Sequence, residues 1–487
     1  MGSKEAFEIV LFGALGDLSM RKLFPSLYCL HHDNRIHPDG HIIAVARKAF
    51  ERNEFLEKLK ASLIDHTPEG LFNEELWETF SQRISYVAMD FTDATSYYDH
   101  LLHHIKHPDA PRIFYLATHS DLYGTICQHL YSHQMLKGEA RVVLEKPIGM
   151  DFESATNVCK DVAKYCHEDQ IYRIDHYLGK ETVQNLLALR FANSLFEHQW
   201  NQRYIDHIQL SISESLGVEQ RAGFYESAGA MRDMVQNHLL QLLCMVAMEP
   251  PAHLDPEAIR DEKVKVLKAL KPMTQQSAMQ EVVRGQYIEG SINGKPTEAY
   301  RDEPGVDAHS DTETFVAIKV EIDNWRWAGT PFYLRTGKRL PSRACEIVVQ
   351  FKDVPHSAFE LSHSTSMANK LIFRLQPDEG IKLQLCEKRV GKGLSVKPVL
   401  LSLTPEHDRK DRVPDAYERL LADAIEGNPT LFLREDELLT AWKWMNPILE
   451  AWQHSGNRPE FYNAGTWGPA AATLLLAKDG RLWEESS

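Results

Sequence analysis

Short apolar runs rich in β-branched and aromatic residues recur at 7–12 (FEIVLF), 41–46 (HIIAVA), 85–90, 112–117 (RIFYLA), 140–145 (ARVVLE) and 171–174 (IYRI). Stretches that suit helices separate them. This alternation predicts a doubly wound parallel sheet. Beyond about residue 180 the texture changes. Residues 180–196 (KETVQNLLALRFANSLF) suit a helix, and strands at 205–213, 314–322, 345–351 and 370–376 follow without regular helical spacers. Strands gathered in this way predict an antiparallel sheet. The expected fold is therefore α/β, with a Rossmann-like dinucleotide domain over 1–178 and a larger α+β substrate and oligomerisation domain over 179–487. No internal repeat or low-complexity tract is visible.

With 487 residues, 43% of them hydrophobic, the chain has apolar surface for more than one core. Its 54 Lys and Arg against 69 Asp and Glu leave a formal charge of −15, which repels nucleic-acid backbones and anionic membranes. Neither partner is expected. A phosphorylated ligand would need a local cluster of cations or backbone amides. The seven cysteines are dispersed without CxxC spacing, which suits reduced thiols and indicates no disulfide framework or zinc site. The longest apolar stretch, around 470–477, is too short to cross a bilayer, and no signal pattern opens the chain. A cytoplasmic location is expected.

Between the first strand and the next helix lies Gly13-Ala14-Leu15-Gly16-Asp17-Leu18. Gly13 permits a tight turn, and Gly16 lets a diphosphate approach backbone at the helix N-terminus. Leu11 occupies the place of the first glycine of the full fingerprint, and a plain strand-to-helix turn reads the same way. Arg47 follows the second strand, where such folds discriminate the ribose; an arginine there pairs with a 2′-phosphate. The alternative is a solvated strand-end arginine. Glu145-Lys146-Pro147 closes the fifth strand at the ligand-binding edge of the sheet, with Lys146 in reach of nicotinamide or substrate and Pro147 fixing a turn.

In the run RIDHYLGKE at 173–181, Asp175, His176, Tyr177 and Lys180 crowd the start of a helix. Imidazole, phenol and ammonium donors there make a chemically sensible phosphate cradle; helix capping is the bland alternative. Residues 229–249 carry an apolar stripe at helical spacing, with His238 inside it. A buried histidine needs a partner, and Asp175 is a candidate that would raise its basicity. A satisfied core histidine fits the periodicity as well. His100, His103, His104 and His107 fall on one predicted helix face, read as solvated rather than metal-binding.

Taken together, GALGDLSMRKL (13–23), EKPIG (145–149), RIDHYLGKE (173–181), RDMVQNHLLQ (232–241), RDEKVKVLK (260–268), PFYLRTGKRL (331–340), DAYERLL (415–421) and AGTWGP (464–469) resemble the glucose-6-phosphate dehydrogenase family. The resemblance spans nearly the whole chain. It implies oxidation of glucose 6-phosphate at C1 to the 6-phosphogluconolactone, with hydride passing to NADP at the entry to the pentose phosphate pathway. By residue-wise carry-over, His238 matches the general base and Asp175 its carboxylate partner. His176, Tyr177 and Lys180 match the substrate-phosphate site, and Glu214, Asp233, Lys338 and Arg343 match contacts to the sugar or its phosphate. Lys22 and Lys146 match residues between cofactor and substrate, with Gln376 a weaker candidate. Gly13, Leu15, Gly16, Asp17, Leu18, Arg47 and Lys146 are the cofactor-binding set. No metal is required. A homodimer or homotetramer is implied.

Three departures bear on the cofactor. Leu15 replaces a small polar or basic residue and cannot donate to a 2′-phosphate, Met20 stands at a frequent lysine, and Thr118-His119-Ser120 replaces a proline-containing loop. Arg47 is left as the main determinant for NADP, and use of NAD is not excluded. Ala344 stands where family members with a second, structural NADP site carry lysine, so no such site is expected. A noncatalytic sugar-phosphate and dinucleotide sensor on the same fold is the competing reading, against which the intact Asp175 and His238 count.

Overall fold

The six apolar runs of the first region form strands β1 (Glu8–Phe12), β2 (His41–Ala46), β3 (Ile84–Ala88), β4 (Arg112–Leu116), β5 (Ala140–Leu144) and β6 (Ile171–Ile174) in a computed structural model. It describes residues 5–107, 109–357, 359, 368–377, 379–391, 395–403, 412 and 414–485. These six strands are mutually parallel and run in the order β6-β5-β4-β1-β2-β3. This is the doubly wound dinucleotide order, whose direction of winding reverses between β1 and β4. Every residue of β1, β2 and β4 is buried, as expected for a parallel sheet covered on both faces.

The described residues divide into two units. The first comprises 1–180, 252–260 and 412–439. A single boundary at 178 does not capture the last two segments, for a physical reason. The strand Phe432–Leu433 adds antiparallel to the edge of the first sheet, with Phe432 opposite Ile174. Arg260 donates to the Phe432 and Pro429 carbonyls (3.2 and 2.7 Å), tying 252–260 to the same edge. The helix Ala416–Glu426 packs on the helix Phe24–His32. It starts from a reciprocal cap, in which the Asp415 side chain accepts from the Tyr417 amide and Glu418 accepts from the Asp415 amide (both 2.9 Å), a device worth roughly 0.5–2 kcal/mol.

The second unit comprises 181–251, 261–411 and 440–487. Its nine-stranded sheet runs, by residue range, 396–403, 380–388, 370–376, 344–351, 205–213, 332–337, 315–320, 282–288 and 460–463. The sheet is antiparallel in six of its eight neighbouring pairs, as expected, with two parallel exceptions. Ile205–Ser213 pairs parallel with Phe332–Gly337, and Val282–Ile288 with Glu460–Asn463. Parallel neighbours need long crossovers, and the helices between 213 and 332 supply one of them.

Two helical expectations are corrected. The stretch 229–249 is not one α-helix. A helix Ala222–Ala230 kinks at Gly229 (φ 63°), a π-helix spans Met231–Leu239, and an α-helix continues over Leu240–Ala247. Nearly every residue from 231 to 247 is buried, so the apolar stripe has no polar face to set its period. The four histidines do not share a face either, because the helix ends at His104 and the His107 amide turns to Glu8 (3.0 Å). Among the described residues no helix is long and apolar enough to cross a membrane, and the cysteines are unbridged, six of them buried.

Candidate active site

At the end of β1 the chain turns through Gly13 at φ 86°. A β-carbon there would overlap the Ala117 carbonyl at the end of β4. The left-handed conformation alone costs a non-glycine residue roughly 1–2 kcal/mol, so the overlap with rigid backbone dominates. The Gly13 and Ala14 amides both donate to Val45 (2.9 and 3.0 Å), and the Ser19 hydroxyl donates to the Gly13 carbonyl (2.9 Å). The turn is thus held against β1, β2 and β4 at once. Gly16 is exposed, Leu15 and Leu18 are half-buried, and Asp17 is exposed with Arg21 3.5 Å away. Helical winding begins at Asp17, where the first amides lack intrahelical acceptors. Arg47 is exposed beyond β2. Amides at a helix start, a glycine cradle and a solvated guanidinium suit a dinucleotide with its phosphates.

Lys146 follows β5 and is half-buried; its peptide bond to Pro147 is cis. The preceding residue, Glu145, is buried and accepts from the Tyr115 hydroxyl at 2.5 Å, while Tyr123 donates to its carbonyl at 2.7 Å. Burial pushes the Glu145 carboxyl up and both phenols further up. These three residues fix the strand end that presents Lys146. Thr118 and His119 follow β4, with His119 exposed beside Asp121 at 3.1 Å.

The end of β6 builds the next cluster. Asp175 is fully buried, and its Oδ1 accepts the Tyr177 amide at 2.9 Å, while its carbonyl accepts the Leu178 amide at 3.1 Å. Two tight turns follow, so His176, Tyr177 and Lys180 gather on five residues of chain. The His176 and Tyr177 rings are 5.0 Å apart, and the Lys180 ammonium sits 3.6 Å over the Tyr177 ring. His176 also stacks on Tyr417 at 5.9 Å. Gly179 lets the capped helix approach, because a β-carbon there would lie 2.9 Å from the Ala416 carbonyl. Lys22, exposed, bonds Asp415 at 3.2 Å. Asp415 and Tyr417 were not singled out from the sequence, although DAYE carries the cap signature that places them.

In the second unit, parallel pairing sets Ser213 opposite Gly337. The residues that follow, Glu214 and Lys338, emerge side by side and form an ion pair of 2.7 Å. The Lys338 ammonium also lies 4.9 Å over the ring of Tyr225. Lys338 is buried and Glu214 half-exposed; removing one partner of a fully buried pair costs roughly 3–5 kcal/mol, and solvent at Glu214 discounts that. Tyr225 is buried, and burial together with the Asp233, Glu214 and Glu313 charges holds its phenol well above the usual range. The Tyr462 hydroxyl donates to the Lys338 carbonyl at 2.7 Å. Asp233 and His238 both lie on the buried π-helix. Arg343 is exposed on a loop tied down by the Ser213 hydroxyl, which donates to the Ser342 carbonyl at 2.8 Å. Gln376 is half-buried at the end of Lys370–Gln376. Tyr225, Tyr462 and Glu313 carry no sequence signal, since their roles arise from contacts distant along the chain.

The chain matches two family models, the NAD binding domain of glucose-6-phosphate dehydrogenase over residues 10–185 and its C-terminal domain over residues 187–484. It is 48% identical over 487 residues to a glucose-6-phosphate 1-dehydrogenase of Rhizobium meliloti (99% of this chain, 98% of the relative). It is 46% identical to one of Mycolicibacterium smegmatis (98% and 97%). Among solved structures, a glucose-6-phosphate dehydrogenase in complex with its substrate glucose-6-phosphate superposes with a TM-score of 0.90 at 35% identity over 100% of both chains. The enzyme from Mycobacterium avium does so with 0.85 at 35% identity over 99% of both. With both halves matched by the two domain models and the full length matched at this identity, the chain belongs to the glucose-6-phosphate dehydrogenase family.

Proposed function

We propose that the protein oxidises D-glucose 6-phosphate at C1 to 6-phospho-D-glucono-1,5-lactone, the first oxidative step of the pentose phosphate pathway, with NADP as acceptor. The observation that carries this reading is the intact turn from Asp175 to Lys180 in a chain of this family. The nicotinamide, when bound, accepts the C1 hydrogen with its electron pair. The protein's own part is binding, orientation and proton transfer.

His238 is assigned the proton of the C1 hydroxyl, taken at an imidazole nitrogen as the carbonyl forms, with the Asp175 carboxylate pairing the resulting imidazolium. His176, Tyr177 and Lys180 are assigned the substrate phosphate; their three kinds of donor suit a dianion, and the chain's net charge of −15 makes such a local cluster necessary. Glu214, Asp233, Lys338 and Arg343 are assigned the sugar or its phosphate, and Lys22 and Lys146 the space between sugar and cofactor. NADP in preference to NAD rests on Arg47, a solvated guanidinium at the ribose end of β2. Buried thiols suit a cytoplasmic setting.

The protein is proposed to act as a homodimer or homotetramer. The strand Val396–Leu403 ends the second sheet and exposes Leu400, Leu401 and Leu403, a patch that an interface would cover. Sedimentation showing a monomer at assay concentration would contradict it. The function itself is tested by following reduced nicotinamide absorbance with glucose 6-phosphate and either NADP or NAD. Turnover with NADP is expected, and none with either cofactor overturns the assignment.

A further inference from the structure

The helix that bears His238 begins at a break. Gly229, at φ 63° and ψ 177°, breaks the helix Ala222–Ala230 one residue short of its end, just before the π-helix Met231–Leu239 begins. An isolated chain would leave the direction of the second helix open at such a hinge. Here one short segment, Ser310–Thr314, grips both sides of it. On the near side, the Ser310 hydroxyl donates to the Glu226 carboxylate at 2.7 Å, and the Thr312 hydroxyl donates to the Glu226 carbonyl at 3.1 Å. On the far side, the Ala230 amide donates to the Glu313 carbonyl at 2.9 Å, and the Met231 amide donates to Glu313 Oε1 at 3.1 Å. The Glu313 carboxylate fills the space a Gly229 side chain would need, since a β-carbon there would overlap it. Glu313 itself is buried.

The same segment reaches a second element of the site. The Thr314 carbonyl accepts the Lys338 amide at 2.9 Å, and the Thr314 hydroxyl meets the Tyr462 hydroxyl at 3.0 Å. Tyr462 in turn donates to the Lys338 carbonyl at 2.7 Å. Five consecutive residues therefore tie together the helix of His238 and Asp233 and the strand end of Lys338.

The winding of the helix makes this grip matter. Asp233 and His238 are five residues apart. In an α-helix of 3.6 residues per turn that spacing places them about 140° apart around the axis. In a π-helix, where residue i bonds i+5, they fall one turn apart on nearly the same side. The first turn of the π-helix begins at Met231, whose amide Glu313 holds.

We propose that Glu313 is a positioning residue. By holding the Met231 amide across the Gly229 kink, it fixes the starting register and direction of the helix on which Asp233 and His238 ride, and so aligns the base with the sugar contacts at Lys338. The proposal deepens the catalytic reading above and rests on His238 being the base.

The test compares Glu313→Ala, which removes the acceptor, with Glu313→Gln, which keeps a carbonyl oxygen for the Met231 amide. Misplacement of a catalytic group by about 1 Å costs on the order of 100-fold. For Glu313→Ala, corrected for the folded fraction, kcat is expected to fall roughly 30- to 100-fold with the KM for glucose 6-phosphate changed less than about threefold. Glu313→Gln is expected to recover kcat to within about fivefold of wild type. A merely structural residue would lower melting temperature and yield while leaving kcat per folded molecule alone. Should Glu313→Ala fail to fold, Glu313→Asp, one methylene short, takes its place.

Hydrogen exchange separates this idea from the base assignment. The Met231 amide, whose acceptor is the Glu313 side chain, should exchange faster in Glu313→Ala and at the wild-type rate in Glu313→Gln, whatever His238 does. A folded Glu313→Ala with kcat within twofold of wild type overturns the proposal, as does unchanged exchange at the Met231 amide. Retained turnover in His238→Asn, with exchange altered as expected in Glu313→Ala, would instead remove the base assignment.

Discussion

The turn after β6 and the helix Met231–Leu239 both carry residues assigned to the substrate, and they are built in opposite ways. The first packs Asp175, His176, Tyr177 and Lys180 into six residues, gathered by closeness in sequence and by bonds such as the Tyr177 amide on Asp175, with the helix Ala416–Glu426 packed beside them. The second spreads Asp233 and His238 along a buried helix whose direction depends on Glu313, some eighty residues further along the chain. A local turn can bring donors to an anion without tight control of their angles, because a phosphate accepts from many directions. Proton transfer from a particular hydroxyl tolerates little misalignment. The contrast in construction thus follows the contrast in chemical demand between the assigned phosphate donors, on local chain, and the assigned base, on a buried and remotely braced helix. The base's assigned partner Asp175 nonetheless sits in the turn, and the assigned sugar contact Asp233 on the helix.

That contrast breaks most visibly at His238. His238→Asn keeps the size of the side chain and loses the base, so kcat should fall on the order of 100-fold or more while the KM for glucose 6-phosphate changes little. Wild-type-like turnover would take the rate-determining role away from the helix. The opposite signature is expected in the turn. Lys180→Ala or His176→Asn should raise that KM about tenfold, the loss of one charge-assisted hydrogen bond of roughly 1.5–3 kcal/mol partly offset by its neighbours, with kcat within a few-fold. Saturation curves unchanged in both variants would empty the turn of its phosphate.

The same contrast explains what the sequence disclosed. Strands β1 to β6 were legible because buried parallel strands are short, continuous apolar runs. The glycine turn was legible because a glycine between a strand and a helix marks a tight turn, although the close approach of Ala117 that also demands Gly13 lies about a hundred residues away. RIDHYLGKE was legible as a crowd of donors and, through its resemblance to a family, as a site. The helix of His238 misled a reading by period, since a helix buried on all sides has no polar face, and nothing local marks the π-winding or the kink at Gly229. The return of 412–439 to the first sheet was hidden for a similar reason. Phe432 and Leu433 are a two-residue strand, below the length at which alternation is visible, and their partner Ile174 lies far upstream. Glu145, Tyr225, Glu313 and Tyr462 are ordinary buried polar residues in the sequence; their roles exist in contacts that length and pattern do not encode.

The smallest effect belongs to the cofactor end, where the construction is the most exposed of all. Arg47 stands in solvent beyond β2, and Leu15, its neighbour in the assigned set, has no donor to share the load. Water and salt compete with an exposed guanidinium, so the proposed bond of Arg47 to a 2′-phosphate would be worth less than the roughly 1.5–3 kcal/mol of a sheltered charge-assisted bond. Arg47→Ala should therefore raise the KM for NADP roughly three- to tenfold, shrink that difference as ionic strength rises, and leave the KM for NAD, which has no 2′-phosphate, within about twofold. Saturation curves for both cofactors at low and high salt measure all three effects together. Equal losses for NADP and NAD would mean that Arg47 supports the turn rather than reading the phosphate. No loss for either would place discrimination elsewhere than the end of β2, and the exposed cofactor edge would then need a determinant other than charge.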